Sequence, residues 1–164
     1  MKIVQSANTF VADQSNDMNK RINFNNLNPA FIAGMQTLDR AVAESGIDPW
    51  YGELIKLRAS YLNGCAYCVD KHTQDALKLG VSARKIAVLP AWREALSHFS
   101  NEECLILLLT EEVSMIHKVG ISAEVYAQCI QNFGEKMTGN LIAAAILINA
   151  WNRIGISLKM EPIF

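Results

Sequence analysis

Two cysteines, Cys65 and Cys68, are followed four residues later by a histidine, His72. In a helix opening at Cys65, successive side chains turn by about 100°, so the three fall on one face within an arc of about 60°. Cys68 and His72 form an i, i+4 pair whose side chains can meet. The arrangement suits thiol chemistry. A thiol attacks as its thiolate, and the ordinary cysteine pKa of about 8.5 is lowered by the positive end of a helix or by a basic neighbour. An adjacent imidazole can take the proton. Asn63-Gly64, just upstream, permits a sharp turn that aims free backbone N–H groups at the first turn of the next helix. Glu53 lies twelve residues before Cys65. In a tight helical hairpin it faces back toward His72, where a carboxylate would orient the imidazole and help it accept a proton. On spacing alone, a glutamate early in a helix more often just complements the helix dipole.

The elements that must position these residues read as helices with clear punctuation. Residues 1–28 are polar and rich in asparagine and read as an irregular N-terminal arm, packed on a neighbouring subunit or loose. Residues 29–164 form the helical domain. Pro29 suits the first turn of a helix to about residue 44, which Gly46 ends. Asp48 caps a helix over residues 49–62, and Asn63-Gly64 breaks it. A third helix runs over 65–79 and stops at Gly80. Ser82 caps a short helix ending before Pro90. Ser100-Asn-Glu-Glu103 is a capping box opening a helix to about residue 117. Ser122 caps the next, which ends near Gly134, and Thr138 starts a final apolar helix to about residue 153. Residues 156–164 read as an ordered tail. The fold class is therefore all-α, a helical bundle.

Composition narrows the function. Hydrophobic residues make up 51% of the 164 residues and charged residues 19%, enough apolar material for a packed core. A formal net charge of −1 without a basic block gives no support for nucleic-acid binding. The most apolar stretch, residues 141–150, is too short to span a bilayer, and the N-terminus lacks the apolar core of a signal peptide, so the expected location is cytoplasmic with no membrane partner. No glycine-rich fingerprint implies a flavin or nicotinamide, and nothing implies haem; no cofactor is expected. Cys104 and Cys129 lie in apolar helical surroundings and read as packing thiols. His98 and His117 lie near helix ends and read as surface or capping residues. Trp50, Trp92 and Trp151 read as core or interface anchors, and Tyr61 and Tyr67 as residues lining the approach to the thiols.

The pattern Glu53-x(6)-Ser60-x(2)-Asn63-Gly64-Cys65-x-Tyr67-Cys68-x(3)-His72-x(3)-Ala76 resembles the signature of the AhpD-like, carboxymuconolactone decarboxylase superfamily. The core of the likeness covers residues 50–80, and Trp92-Arg93-Glu94 with Phe99-Ser100-x-Glu102-Glu103 extends it to about 115. The resemblance implies an AhpD-like helical bundle and a homo-trimer or hexamer. It also implies a thiol relay in which Cys68 reacts with a hydroperoxide, Cys65 resolves it as a disulfide, and Glu53 and His72 move protons. AhpD itself carries a histidine between the cysteines where this chain has Tyr67, which bears on the partner that reduces the pair. The decarboxylase branch lacks the cysteine pair, which disfavours lactone decarboxylation.

The expectation is a thiol-dependent peroxidase. Its substrate is a hydroperoxide and its reductant an external thiol: a lipoyl-bearing protein, a thioredoxin-like protein or a small thiol. Two alternatives stand beside it. One is a redox sensor or general disulfide oxidoreductase without efficient peroxide turnover. The other is a structural zinc site using Cys65, Cys68, His72 and Glu53, although structural zinc more often draws on two ligand pairs.

Overall fold

The computed structural model describes residues 21–162, and their regular structure is helical throughout. The order is α1 (Phe24–Leu27), α2 (Pro29–Ala43), α3 (Pro49–Asn63), α4 (Ala66–Lys78) and α5 (Ala83–Val88), then two short 3-10 stretches, Leu89–Glu94 and Leu96–His98, then α6 (Asn101–Ser114) and α7 (Ala123–Ser157). α3 is the centre, packed against α4, α6 and α7. Glu53, Leu54 and Ile55, and then Leu57, Arg58, Ala59 and Ser60, are buried, with only Lys56 between them partly exposed. Over this stretch the helix keeps only Lys56 partly in solvent, which is why its sequence shows little amphipathic period. The core around it includes Leu89, Trp92, Ile106, Leu107, Leu109, Leu141 and Ile148. Each fully buried aliphatic side chain of this kind contributes about 1.5–3 kcal/mol of transfer free energy.

The expected punctuation is observed in most places. Asp48 accepts hydrogen bonds from the Trp50 and Tyr51 N–H groups at the start of α3. Ser100 and Glu103 close a reciprocal capping box on α6. Gly64 caps α3 with φ at 73°, a left-handed conformation in which a side chain is strained.

Four differences from the sequence reading have physical causes. The expected arm lies mostly outside the described residues, but Phe24–Leu27 form one helical turn, capped by the Asn23 side chain and with Phe24 edge-on to Phe31 of α2. α6 stops at Ser114 rather than near 117, and the chain passes through turns to Gly120 at positive φ. The two helices expected on either side of residues 134–138 abut without a loop. They meet at Gly134, whose φ of 77° and ψ of 168° break the helical path inside α7. α7 then continues to Ser157, beyond the expected end near 153.

Two buried acids tie the lower helices together. Glu111 of α6 accepts from Arg58, Trp92 and Arg93 at 2.7–2.9 Å. Glu103 accepts from Lys85 at 2.6 and 2.8 Å, from the Ser100 N–H at 2.7 Å, and from the Trp50 indole. Paired in this way, each carboxylate satisfies the neighbours it buries. Trp50 and Trp92 are thus anchors with a polar tip, as expected of tryptophans that bury their rings.

Candidate active site

The turn Asn63-Gly64 lets α3 and α4 run back to back, and Cys65 is the N-cap of α4. Its Sγ accepts a hydrogen bond from the Cys68 N–H at 3.3 Å. The two sulfurs are joined as a disulfide across 5.3 Å between Cα atoms. The donor end of α4 therefore acts on Cys65, whereas the sequence reading gave that help to the pair as a whole. One turn on, His72 is buried on the same side of α4.

Glu53 reaches His72 from α3. Its Oε2 lies 2.9 Å from His72 Nδ1, and its Oε1 accepts from Lys56 Nζ at 2.8 Å. Burial alone would raise the Glu53 carboxyl, but the hydrogen bonds from His72 and Lys56 outweigh it and hold the group below its ordinary value. A carboxylate at this distance suits a proton on Nδ1, the arrangement in which Nε2 is the nitrogen left to accept. Asp75, one turn beyond His72, was not singled out by the sequence. Its carboxylate lies close enough that one ligand atom each from Glu53, His72 and Asp75 falls within 4.8 Å of the others. Burial pushes the Asp75 carboxyl up, but Lys71 and Lys78 bond both of its oxygens and bring it down to about 2.

Cys68 and His72 both line a cavity of about 830 Å³. Its walls come from the N-terminal segment (Ile22, Phe24), α2 (Ile32), α4 (Tyr67), α7 (Ile148, Trp151) and the residues that follow α7 (Leu158, Met160). Cys65 does not line it. Trp151 holds one rim, donating its indole N–H to Asp39 of α2 at 3.0 Å. Glu53 borders a second, open hollow of about 400 Å³, with Gly52, Asp75 and Lys78, so the Glu53–His72 pair links two openings. Of the two tyrosines expected near the thiols, Tyr67 lines the cavity. Tyr61 is packed against the core instead, because its position on α3 turns it toward the bundle.

The profile of the carboxymuconolactone decarboxylase family matches residues 29–111. The chain belongs to that family. The uncharacterised protein YdfG of Bacillus subtilis is 33% identical over 141 residues, covering 86% of this chain and 95% of YdfG. A crystal structure from Agrobacterium tumefaciens superposes with a TM-score of 0.84 at 29% identity, covering 88% of this chain and 99% of that one. That protein is described as one of unknown function and a candidate antioxidant defence protein AhpD. The AhpD-like, all-helical architecture expected from the sequence is the one observed.

Within this carboxymuconolactone decarboxylase family chain, α7 supplies site residues that the sequence reading did not single out. Asn63 donates to Asn149 at 2.9 Å and to Asn152 at 2.8 Å, and Asn152 donates to Ser60 at 3.0 Å. Asn149 also donates to Ser114 of α6 at 2.9 Å. This buried polar knot locks the α3–α4 turn, and hence Cys65, onto α6 and α7. Gly155 lies directly over the sulfurs: a Cβ there would stand 3.2 Å from Cys65 Sγ and 3.7 Å from Cys68 Sγ. Its only sequence signal was a glycine inside a helical run, which often marks close packing.

The remaining cysteines are apart from the site. Cys129 is fully buried and its thiol is pushed up to about 11, first by burial and then by Glu112. Cys104 is half-buried, its thiol also raised by burial. Neither is activated for attack. His98 and His117 are exposed. Among the described residues, no helix is long and apolar enough to cross a membrane.

Proposed function

We propose that this chain is a thiol-dependent peroxidase that reduces hydroperoxides through the Cys65–Cys68 pair. The observation that carries the reading is that Cys68 and a Glu53-held His72 line the same cavity. In the reduced protein, His72 Nε2 takes the Cys68 proton. The thiolate attacks the distal oxygen of the hydroperoxide, the O–O bond breaks, and Cys68 becomes a sulfenic acid. The imidazolium returns its proton to the departing alkoxide, giving the alcohol. Cys65 then displaces hydroxide from the Cys68 sulfur, which leaves as water once protonated, and the disulfide forms. Two thiols from an external reductant restore the pair and leave as a disulfide.

The buried position of both sulfurs favours a reductant thiol carried on a slender group, a lipoyl arm or a small dithiol, over one seated on a thioredoxin-like face. A homo-trimer or hexamer accords with the apolar groove that Leu38 of α2 and Ile146 of α7, both more than half exposed, border on the bundle surface. The test is a peroxide turnover assay with a panel of dithiols, run beside Cys65→Ser and Cys68→Ser. Sustained turnover by the wild type and none by Cys68→Ser is expected. Slow single oxidation with every dithiol would instead place the protein among redox sensors.

A further inference from the structure

The disulfide can be reopened at either sulfur, and the two are not equivalent. Cys68 lines the 830 Å³ cavity, whereas Cys65 does not and is 2% exposed. A Cβ placed on Gly155 of α7 would stand nearer Cys65 Sγ (3.2 Å) than Cys68 Sγ (3.7 Å), so α7 closes most tightly over the inner sulfur. Cys65 Sγ also accepts the Cys68 N–H at the donor end of the thirteen-residue α4. That bond strengthens if the sulfur becomes a thiolate.

From these three observations we propose that the external reductant attacks Cys68, through the cavity, and expels Cys65 as the leaving thiolate. The inference rests on the redox pair of the proposed function but not on the identity of its oxidant. The reductant's thiolate forms a bond to Cys68 Sγ as the Sγ–Sγ bond breaks, and the electron pair of that bond goes to Cys65. The Cys65 thiolate is held by the Cys68 N–H and then takes the proton the reductant lost. The reductant's second thiol attacks the reductant sulfur of the mixed disulfide, releasing the Cys68 thiolate beside His72. The reductant leaves as its own disulfide, and the pair regains two electrons and two protons. Exchange is limited by access to the attacked sulfur, which selects Cys68, and it is eased where the departing thiolate already has a hydrogen-bond donor, as Cys65 has in the Cys68 N–H. The cavity thus serves both halves of the cycle, and Cys68 carries each covalent intermediate.

The test uses the full-length wild-type protein, oxidised with diamide so that no peroxide enters. It is mixed with excess 2-mercaptoethanol, quenched in acid at a series of short times, and alkylated with N-ethylmaleimide. Fragment-ion mapping of the peptide holding both cysteines then locates the mercaptoethanol adduct. Extrapolated to the earliest quench, the adduct on Cys68 is expected to exceed that on Cys65 by at least about tenfold. An adduct first found on Cys65, or shared equally, overturns the proposal. Either outcome is independent of whether hydroperoxides are the substrate, which the turnover assay decides separately.

Discussion

Glu53 divides its two oxygens between an imidazole and an ammonium, and that division makes it the most informative residue to change. Glu53→Gln keeps the shape but removes the charge that orients His72 and makes it a better base. Turnover is expected to fall by about 10²-fold, within the usual range for a proton-transfer residue, with Cys68 still oxidisable by excess peroxide. The folded Glu53 titrates below its ordinary value, so its ionised form contributes stability that is complete above the unfolded carboxyl pKa of about 4.3. That contribution fades as pH falls through the lower folded value. The difference in urea midpoint between wild type and Glu53→Gln should therefore be largest near neutrality and shrink below about pH 4. A difference constant down to the acid end would mean that Glu53 is not charged in the folded protein. Cys65, Cys68 and His72 were legible in the sequence because one helix fixes their spacing. Glu53 was not legible from spacing alone, since its approach to His72 depends on how α3 and α4 close against each other; only the family pattern singled it out.

Most of the elements could be read from their ends: Asp48-Pro49, Asn63-Gly64, Ser82 and the Ser100–Glu103 box each supply or remove backbone donors at a defined place. What could not be read is which helix covers the disulfide. Asn152 lies 89 residues from Asn63, and the register that brings it there is set by tertiary packing rather than by any local pattern. The junction inside α7 was visible as Gly134, but not that its two halves abut. Gly155 follows the same logic. A methyl group at 3.2 Å from Cys65 Sγ is tighter than ordinary contact, so the sulfur or the helix must shift. Gly155→Ala should lower stability by about 1–3 kcal/mol through overpacking, despite the better intrinsic helix propensity of alanine. Thermal unfolding of the oxidised protein checks this, and a variant more stable than wild type would show that the space over the sulfurs is slack.

At the scale of the whole molecule, a central buried helix, two paired acids and a polar knot hold one disulfide at the edge of one cavity. The N-terminal segment from Arg21 to Asn25 forms part of that cavity's wall in its own chain, where the sequence reading had the arm packed on a neighbouring subunit or loose. The exposed apolar groove between α2 and α7 is the kind of surface that a soluble protein usually covers. Light scattering on the purified protein is expected to give a trimer or hexamer, and a strictly monomeric mass would contradict the assembly. The central claim, that Cys68 is the peroxide-reactive sulfur and Cys65 resolves it, is tested most directly by a single turnover without reductant. Fully reduced protein is mixed with less than one equivalent of hydroperoxide, and free thiols are counted. Wild type should lose two thiols for each peroxide consumed, with the new bond mapped to Cys65–Cys68, and Cys65→Ser should stop at a sulfenic acid on Cys68. Cys68→Ser that consumes peroxide as fast as wild type would contradict the account.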